Sequence, residues 1–315
     1  MNTEQQQFSF EGATEWFNSR PIRLSDLRGH VVLVDFWTLT CINWLRTVPF
    51  LRRWRELYES HGLVIVGVHT PEFSFEKDVE HVAAALDERN IRYPVAIDNQ
   101  YVVWNSFGNR YWPALYVLDD SGVVRDYHPG EERYWQPERV IQHLLGIEHE
   151  IIAVVGTGVE APADWARLRS PETYLGYMRG NGFASSGEAT TDKVHRFDLP
   201  TRLRLNHWGL GGEWTIGEEC ARLNDSRGSI AFRFHARDAH VVLSRRVAEP
   251  IPFRVMVDGE APGPSHGVDV GDDGIGVLDE SRLYQLVRQR DDVRTRTVEL
   301  QFDAPGAEAY AFTFG

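Results

Sequence analysis

The stretch Val31–Pro49, VVLVDFWTLTCINWLRTVP, decides the fold that we predict for this chain. Its first half is an apolar, β-branched run that ends in Phe36 and Trp37, which is typical of a buried strand. After a short turn, apolar residues recur at the spacing of a core-facing helix that begins near Cys41. A cysteine at the first turn of a helix lies beside unpaired N–H groups and the positive end of the helix dipole, so this position favours a reactive thiolate.

The segments after this stretch continue an alternation of strands and helices. Apolar or aromatic runs predict four further strands, the last two of which form a hairpin: residues 63–69, 93–97, 111–118 and 123–128. Helical spacing predicts helices at residues 75–89, 101–107 and 136–145. This order predicts an α/β domain over about residues 1–150, with helices on both faces of its sheet and with residues 1–20 as a loose arm. An aromatic–proline pair, Trp112–Pro113, lies at the head of the third strand, where a cis peptide bond is tolerated.

The second half of the chain has a different pattern. Residues 151–170 are of mixed character, and we interpret them as a linker. Short runs of period two, separated by Gly, Pro and Asp, predict nine strands and no helix in residues 171–315. These strands are residues 194–199, 203–205, 213–216, 229–235, 240–244, 253–257, 282–287, 295–302 and 309–314. Many short strands at this spacing predict an all-β jelly-roll sandwich domain.

The Val31–Pro49 segment resembles the active site of the thioredoxin superfamily, whose motif is Cys-x-x-Cys on a strand-to-helix turn. Cys41 takes the place of the nucleophilic first cysteine, while Trp37 and Pro49 match the tryptophan and the helix-kinking proline of the family. The resemblance implies that residues 1–150 form a thioredoxin-like α/β domain. It also implies that Asp35 is the buried carboxylate that transfers protons and that Pro113 is the cis-proline that faces the cysteine.

The motif departs from the family at one position. Trp44 occupies the place of the second cysteine, so the motif reads Cys-Ile-Asn-Trp. Because no second thiol is present to resolve a mixed disulfide, Cys41 cannot run the intramolecular dithiol cycle. Trp44 is expected to shield the sulfur, to offer a flat surface to a partner, or simply to pack. The candidate catalytic set is therefore Cys41, Asp35, Pro113 and Trp44.

The order of the later motifs is similar to the soluble region of cytochrome-c-biogenesis proteins of the DipZ type, in the TlpA-like branch of the superfamily. The chain contains Cys-Ile-Asn and Tyr-Trp-Pro-Ala in its first half. Its second half contains Pro-Glu-Thr-Tyr-Leu-Gly-Tyr, Phe-Arg-Phe-His-Ala-Arg-Asp and a terminal Tyr-Ala-Phe-Thr-Phe-Gly. This resemblance covers residues 24–315, and it implies that the sandwich is like a carbohydrate-binding module.

Composition limits the partners. The formal charge of −13 over 315 residues argues against a nucleic-acid or anionic-membrane partner, because phosphate binding needs a basic surface. No run approaches about 18 apolar residues, so no membrane span is predicted. The first residues show no signal peptide. We therefore expect a cytoplasmic protein, or an extracytoplasmic one if the chain is part of a longer protein. Two cysteines do not form a disulfide framework, and no phosphate-binding glycine loop predicts a cofactor.

Weaker candidate sites lie outside the Cys41 segment. Residues 269–280 nearly fit a calcium-loop spacing, with Asp269, Asp273 and Glu280 as candidate ligands, but a solvated acidic hairpin loop is the favoured interpretation. Four aromatic residues are candidates for a sugar-binding platform, although core packing is the commoner role: Trp208, Trp214, Tyr174 and Tyr177. Cys220 is interpreted as structural. Arg46 is expected to be an ordinary exposed helix residue or to stabilise a thiolate.

Three functions follow from these observations. The leading prediction is a thiol redox protein in which Cys41 attacks a disulfide or an oxidant and an external thiol clears the adduct. Its partner is then a disulfide-bearing protein, a small thiol or an oxidant. The first alternative is a non-catalytic binding protein, with an inert Cys41 and a sandwich that holds a glycan or a protein. The second alternative is a one-cysteine peroxidase, since Thr38-x-x-Cys41 also occurs in that class.

Overall fold

The computed structural model describes residues 8–151, 153–186 and 191–315. It divides the chain into two compact units, Met1–Ala161 and Pro162–Gly315, which we call the N-terminal and C-terminal domains. The division falls inside the stretch that the sequence marks as a linker. A 3₁₀ turn in that stretch, Gly158–Glu160, belongs to the N-terminal domain, where Glu160 forms an ion pair with Arg52 at 2.5 Å.

The N-terminal domain is built on a six-stranded sheet with the order β1-β4-β3-β2-β5-β6. The strands are β1 (Glu15–Phe17), β2 (Val31–Trp37), β3 (Leu63–His69), β4 (Val95–Ile97), β5 (Ala114–Leu118) and β6 (Val124–Pro129). Strands β2, β3 and β4 are parallel to one another, and the remaining pairs are antiparallel. This confirms the α/β domain predicted from the order of the segments and the thioredoxin-like fold implied by the resemblance of the Cys41 motif.

Four α-helices connect and cover these strands: α1 (Ile42–Tyr58), α2 (Val79–Glu88), α3 (Val102–Ser106) and α4 (Trp135–Leu145). Helix α1 contains Pro49, and a short 3₁₀ turn after it ends at Gly62, whose φ of 102° lies in the left-handed region that favours glycine. Further 3₁₀ turns span Leu24–Leu27 and Ser74–Lys77.

Strand β2 is the centre of the sheet, with all seven of its residues buried between β3 and β5. Because side chains alternate along a strand, Val32, Val34 and Phe36 face one side, where they join an aromatic core. Asp35 and Trp37 face the other side, where the indole of Trp37 packs on helix α1. The alternation therefore puts a carboxylate on the same face as the helix that begins at Cys41.

The predicted loose arm at residues 1–20 is corrected in part by the structure. Residues 1–7 lie outside the described part of the chain. Glu15–Phe17 is a strand that pairs antiparallel with β4, and Phe10 is buried against Phe107. The segment has only three residues, of which the first is charged, so its sequence does not predict a strand. It becomes a strand because its backbone pairs with β4.

The C-terminal domain is all β, as predicted. Its described residues form a ten-stranded sheet that curls around one apolar core. The strands are β7 (Thr173–Tyr174), β8 (Val194–Phe197), β9 (Trp208–Ile216), β10 (Ala221–Phe234), β11 (Asp238–Arg245), β12 (Ile251–Val257), β13 (Ile275–Leu278), β14 (Arg282–Arg288), β15 (Arg296–Phe302) and β16 (Ala307–Phe314). The strand expected at residues 203–205 is absent from this set, and β13 lies in the segment expected to be an acidic loop.

None of the helices in the described ranges combines the length and the apolar character needed to cross a bilayer.

Candidate functional site

Cys41 lies at the start of helix α1, as the sequence predicts. It is the N-cap residue, with φ −72° and ψ 109°, and its N–H donates to the carbonyl of Thr38 at 3.3 Å. Its own carbonyl accepts the first helical hydrogen bond from the N–H of Leu45. The residue is partly exposed and forms no disulfide, whereas Thr40 before it and Ile42 after it are buried. The fold thus places a partly exposed cysteine at a helix N-terminus.

Asp35 lies in the middle of β2 and is fully buried. Its Oδ2 accepts a hydrogen bond from the indole Nε1 of Trp44 at 3.0 Å. Its Oδ1 has no hydrogen-bonding partner within the described residues, and the same holds for the hydroxyl of Tyr93. Burial raises the pKa of Asp35 to about 7, against the opposing effect of the hydrogen bond from Trp44. A carboxyl group with this pKa can gain or lose a proton near neutral pH.

Trp44 connects Asp35 to the Cys41 turn. Its side chain is fully buried, and its ring stacks on Trp37 with centroids 4.0 Å apart and an angle of 13° between the planes. Of the three sequence-based expectations for Trp44, a flat surface for a partner is therefore wrong. The residue packs, and its one polar atom is used by Asp35. Asp35, Trp44 and Trp37 thus form one contiguous buried group that joins β2 to the first turn of α1, the helix that follows Cys41.

A buried histidine lies behind this group. His69 is paired with Trp37 in the register of β2 and β3, and the two rings meet edge to face with centroids 4.7 Å apart. Neither ring nitrogen has a hydrogen-bonding partner in the described ranges, and burial lowers the pKa of His69 to about 3. Gly67 leaves space for the indole of Trp37, because a β-carbon at position 67 would lie only 3.1 Å from its nitrogen.

Pro113 lies where three loops come together. The Trp112–Pro113 bond is cis, and the proline is buried at the start of β5. Its carbonyl accepts from the N–H of Gly130, after β6, at 2.7 Å. The indole of Trp112 donates to the carbonyl of Thr70, after β3, at 3.0 Å. Ala114 pairs with Phe36, so Pro113 is at the same end of the sheet as Cys41.

Two buried carboxylates near the Cys41 turn were missed by the sequence analysis. Glu76 accepts hydrogen bonds from Thr38 and Thr40, which flank Leu39 in that turn. Glu131 forms an ion pair with Arg46 of α1 at 2.9 Å, with both side chains nearly fully buried. The expectation that Arg46 is exposed is therefore wrong. Burial raises the pKa of Glu131 to about 7 even though the Arg46 charge lowers it.

The weaker candidates do not assemble into a site. Asp269 accepts from the guanidinium of Arg282 and from the N–H of Gln285, and Asp273 accepts from the N–H of Ile275. Within the described residues no group of three or more His, Cys, Asp or Glu side chains is arranged to hold a metal ion.

Trp208 and Trp214 have the commoner role, core packing, because both indoles are buried in the core of the C-terminal domain, and neither can line a sugar platform. Tyr174 is covered by the Arg179 guanidinium, 3.7 Å from its ring centroid, and only Tyr177 is well exposed. Cys220 is buried, and burial, with the charge of Glu308, raises its pKa to about 12.

Comparison with known proteins agrees with this architecture. Residues 4–127 match the AhpC/TSA family, and residues 170–315 match the family described as thioredoxin like C-terminal domain. The two matched ranges therefore fall one on each of the two domains of the chain. Its N-terminal domain has the thioredoxin fold found in thiol-disulfide oxidoreductases.

Two relatives show how the similarity is distributed. Protein DipZ of Mycobacterium bovis is 34% identical over 272 residues, which is 83% of this chain and 39% of DipZ. The chain thus spans about two fifths of the length of that relative. The thiol-disulfide oxidoreductase YkuV of Bacillus subtilis is 25% identical over 134 residues, which is 42% of this chain and 90% of YkuV. Among solved structures, a thioredoxin-like protein in its oxidized form has 26% identity and a TM-score of 0.40, and covers 44% of this chain and 93% of its own.

Proposed function

We propose that the chain is a thiol redox protein that uses Cys41 alone. The Cys41 thiolate attacks a substrate disulfide, forms a mixed disulfide with one sulfur and releases the other as a thiolate. An external thiol, as its thiolate, then attacks the mixed disulfide. This step forms a disulfide between the external thiol and the substrate sulfur, and it regenerates Cys41. A second external thiolate attacks that disulfide, which releases the substrate sulfur as a thiolate and joins the two external thiols in a disulfide. The two external thiols thus supply the two electrons, so no second protein cysteine is needed.

The observation that carries this proposal is the contrast between Cys41 and its surroundings. Cys41 is partly exposed at the N-cap of a 17-residue helix. Trp44, at the position of a resolving cysteine, is buried and hydrogen-bonded to Asp35. The other cysteine, Cys220, is a poor nucleophile because its pKa is raised to about 12. A nucleophile without a resolving thiol favours an external thiol for the second step.

Asp35 and Pro113 have supporting roles in the proposal. With a pKa of about 7, Asp35 can supply the proton that the departing thiolate takes up and recover it when Cys41 next ionises. The indole of Trp44 joins this carboxyl to the first turn of α1. Pro113 is proposed to shape the groove that receives the substrate backbone. The expected substrates are disulfide-bearing proteins, in keeping with the relatives named as thiol-disulfide oxidoreductases.

The test is reduction of insulin disulfides by the full chain with glutathione as the external thiol. We expect turnover that the Cys41→Ser variant loses and the matched Cys220→Ser variant keeps. Absence of turnover together with a Cys41 that resists iodoacetamide in the folded protein would contradict the proposal and favour the non-catalytic alternative. Catalytic consumption of peroxide through a sulfenic acid at Cys41, without insulin reduction, would contradict it in favour of a peroxidase.

A further inference from the structure

Glu76 is a fully buried carboxylate that accepts five hydrogen bonds. Its Oε1 accepts from the N–H of Thr40 at 2.9 Å and from the hydroxyl of the same residue at 2.8 Å. Its Oε2 accepts from the Thr38 hydroxyl at 2.7 Å and from the N–H groups of Glu72 and Phe73 at 2.6 and 2.9 Å. Every donor comes from one of two loops, so this one side chain joins them.

The first of these loops leads directly into Cys41. Thr40 is the preceding residue, and the N–H of Cys41 itself donates to the carbonyl of Thr38. The second loop follows β3, where the N–H of Glu72 also reaches the Thr38 hydroxyl at 3.2 Å. Helix α1 holds the backbone of Cys41 on its C-terminal side. Glu76 holds it on the N-terminal side.

The hydrogen bonds require a carboxylate and not merely a polar side chain. Three of the five donors are backbone N–H groups, which cannot reverse their direction, and they are divided between the two oxygens. An amide at this position would place its NH₂ group against at least one of those N–H groups. Leaving a buried donor unpaired has a substantial cost, and the loop would move to relieve it.

The geometry points to Glu76 as the positioning residue that aims the Cys41 sulfur for attack on a disulfide. This role rests on the proposed function, because it concerns the same reaction. Disulfide exchange needs the attacking sulfur in line with the bond that breaks, and a displacement of about 1 Å can lower such a rate up to a hundredfold. Alkylation by a small reagent needs only an accessible thiolate and is less demanding.

The experiment compares two reactions of Cys41 in the full-length Glu76→Gln variant. We expect kcat/KM for insulin reduction with glutathione to fall about tenfold or more, while the iodoacetamide rate changes by less than about threefold. The matched control is Glu80→Gln, an exposed glutamate in the first turn of α2, which should leave both rates unchanged. A residue that only stabilised the fold would leave both rates unchanged in the folded fraction.

A second variant keeps the test open if Glu76→Gln does not fold. Thr40→Val retains the carboxylate and the β-branched shape and removes one hydroxyl donor, so kcat/KM should fall about fivefold. If Thr40→Val and any folded Glu76→Gln keep the kcat/KM of the wild type, this inference is overturned and the proposed function is not. A wild-type chain without Cys41-dependent turnover would instead refute the proposed function and this inference with it.

Discussion

At the scale of single residues, the site is defined by titratable groups that burial shifts in opposite directions. Asp35 and His69 lie on neighbouring strands and are both fully buried. Burial disfavours the charged form of each, so the pKa of Asp35 rises to about 7 and the pKa of His69 falls to about 3. Both groups are therefore neutral in mildly acidic solution, and each gives the stability of the protein a pH dependence of its own.

Asp35 predicts a loss of stability as the pH rises. Its pKa is higher in the folded chain than in the unfolded chain, so its favourable contribution is complete below about pH 4 and is lost as the pH rises through about 7. Asp35→Asn should therefore match the wild type at pH 4 and exceed it at pH 8 by up to about 4 kcal/mol in free energy of unfolding. Urea denaturation at both pH values measures this, with the exposed Asp87→Asn as the control. Parallel pH profiles for wild type and Asp35→Asn would refute it.

His69 predicts a loss of stability as the pH falls. Its pKa is lower in the folded chain, so stability is complete above pH 6.5 and is lost as the pH falls towards about 3. Between pH 7 and pH 4 the wild type should lose about 3 kcal/mol through this residue. His69→Phe retains an aromatic ring against Trp37 and should remove that loss in acid denaturation followed by far-UV circular dichroism. The control is His81→Phe, at an exposed position. If His69→Phe loses as much stability between pH 7 and pH 4 as this control does, the prediction is wrong.

At the scale of elements, helix α1 is held to the loop after β6 by polar groups that are themselves buried. Arg46 pairs with Glu131, and the hydroxyls of Thr47 and Tyr134 lie 3.0 Å apart. Phe50 stacks on Tyr134 with centroids 3.9 Å apart. Because Gly130 in the same loop donates to the carbonyl of Pro113, these contacts also fix the loop that flanks the proline.

The buried ion pair predicts a large cost for removing one partner. Arg46→Met should lower the free energy of unfolding at pH 8 by about 3–5 kcal/mol, because it leaves the Glu131 carboxylate buried and uncompensated. The double variant Arg46→Met with Glu131→Leu should recover most of that loss. Arg53→Met, which breaks an exposed pair with Glu56, should cost less than about 1 kcal/mol. Urea denaturation measures these stabilities, with Glu131→Leu alone as the fourth corner of the double-mutant cycle, and a double variant no more stable than Arg46→Met would contradict the account.

At the scale of the whole molecule, apolar pattern was sufficient to predict the fold of both domains. Strand β2 and strand β3 occur at the predicted residues, and α1 begins one residue after Cys41. These elements have long apolar runs of a single period, so the local sequence alone indicates that they are buried. Strands β1 and β13 were missed because segments of three or four residues become strands only through their partners, β4 and β12.

The polar part of the site was harder to predict for a related reason. Thr38 and Glu76 are 38 residues apart, and Arg46 and Glu131 are 85 residues apart. A charged side chain is buried only where the fold supplies its partners, and nothing in the local sequence indicates where those partners lie. The sequence left two roles open for Trp208 and Trp214 because an aromatic residue in a strand can face either the core or solvent, and the structure places both in the core.

The most direct test of single-cysteine exchange is the reaction of the native chain with an aromatic disulfide whose released thiolate is coloured. The account predicts that one equivalent of aromatic thiolate is released per chain, that mass spectrometry places the remaining half on Cys41, and that this adduct persists until glutathione is added and then disappears. Labelling of Cys220 in the native protein, or spontaneous loss of the adduct from Cys41 without an external thiol, would contradict it.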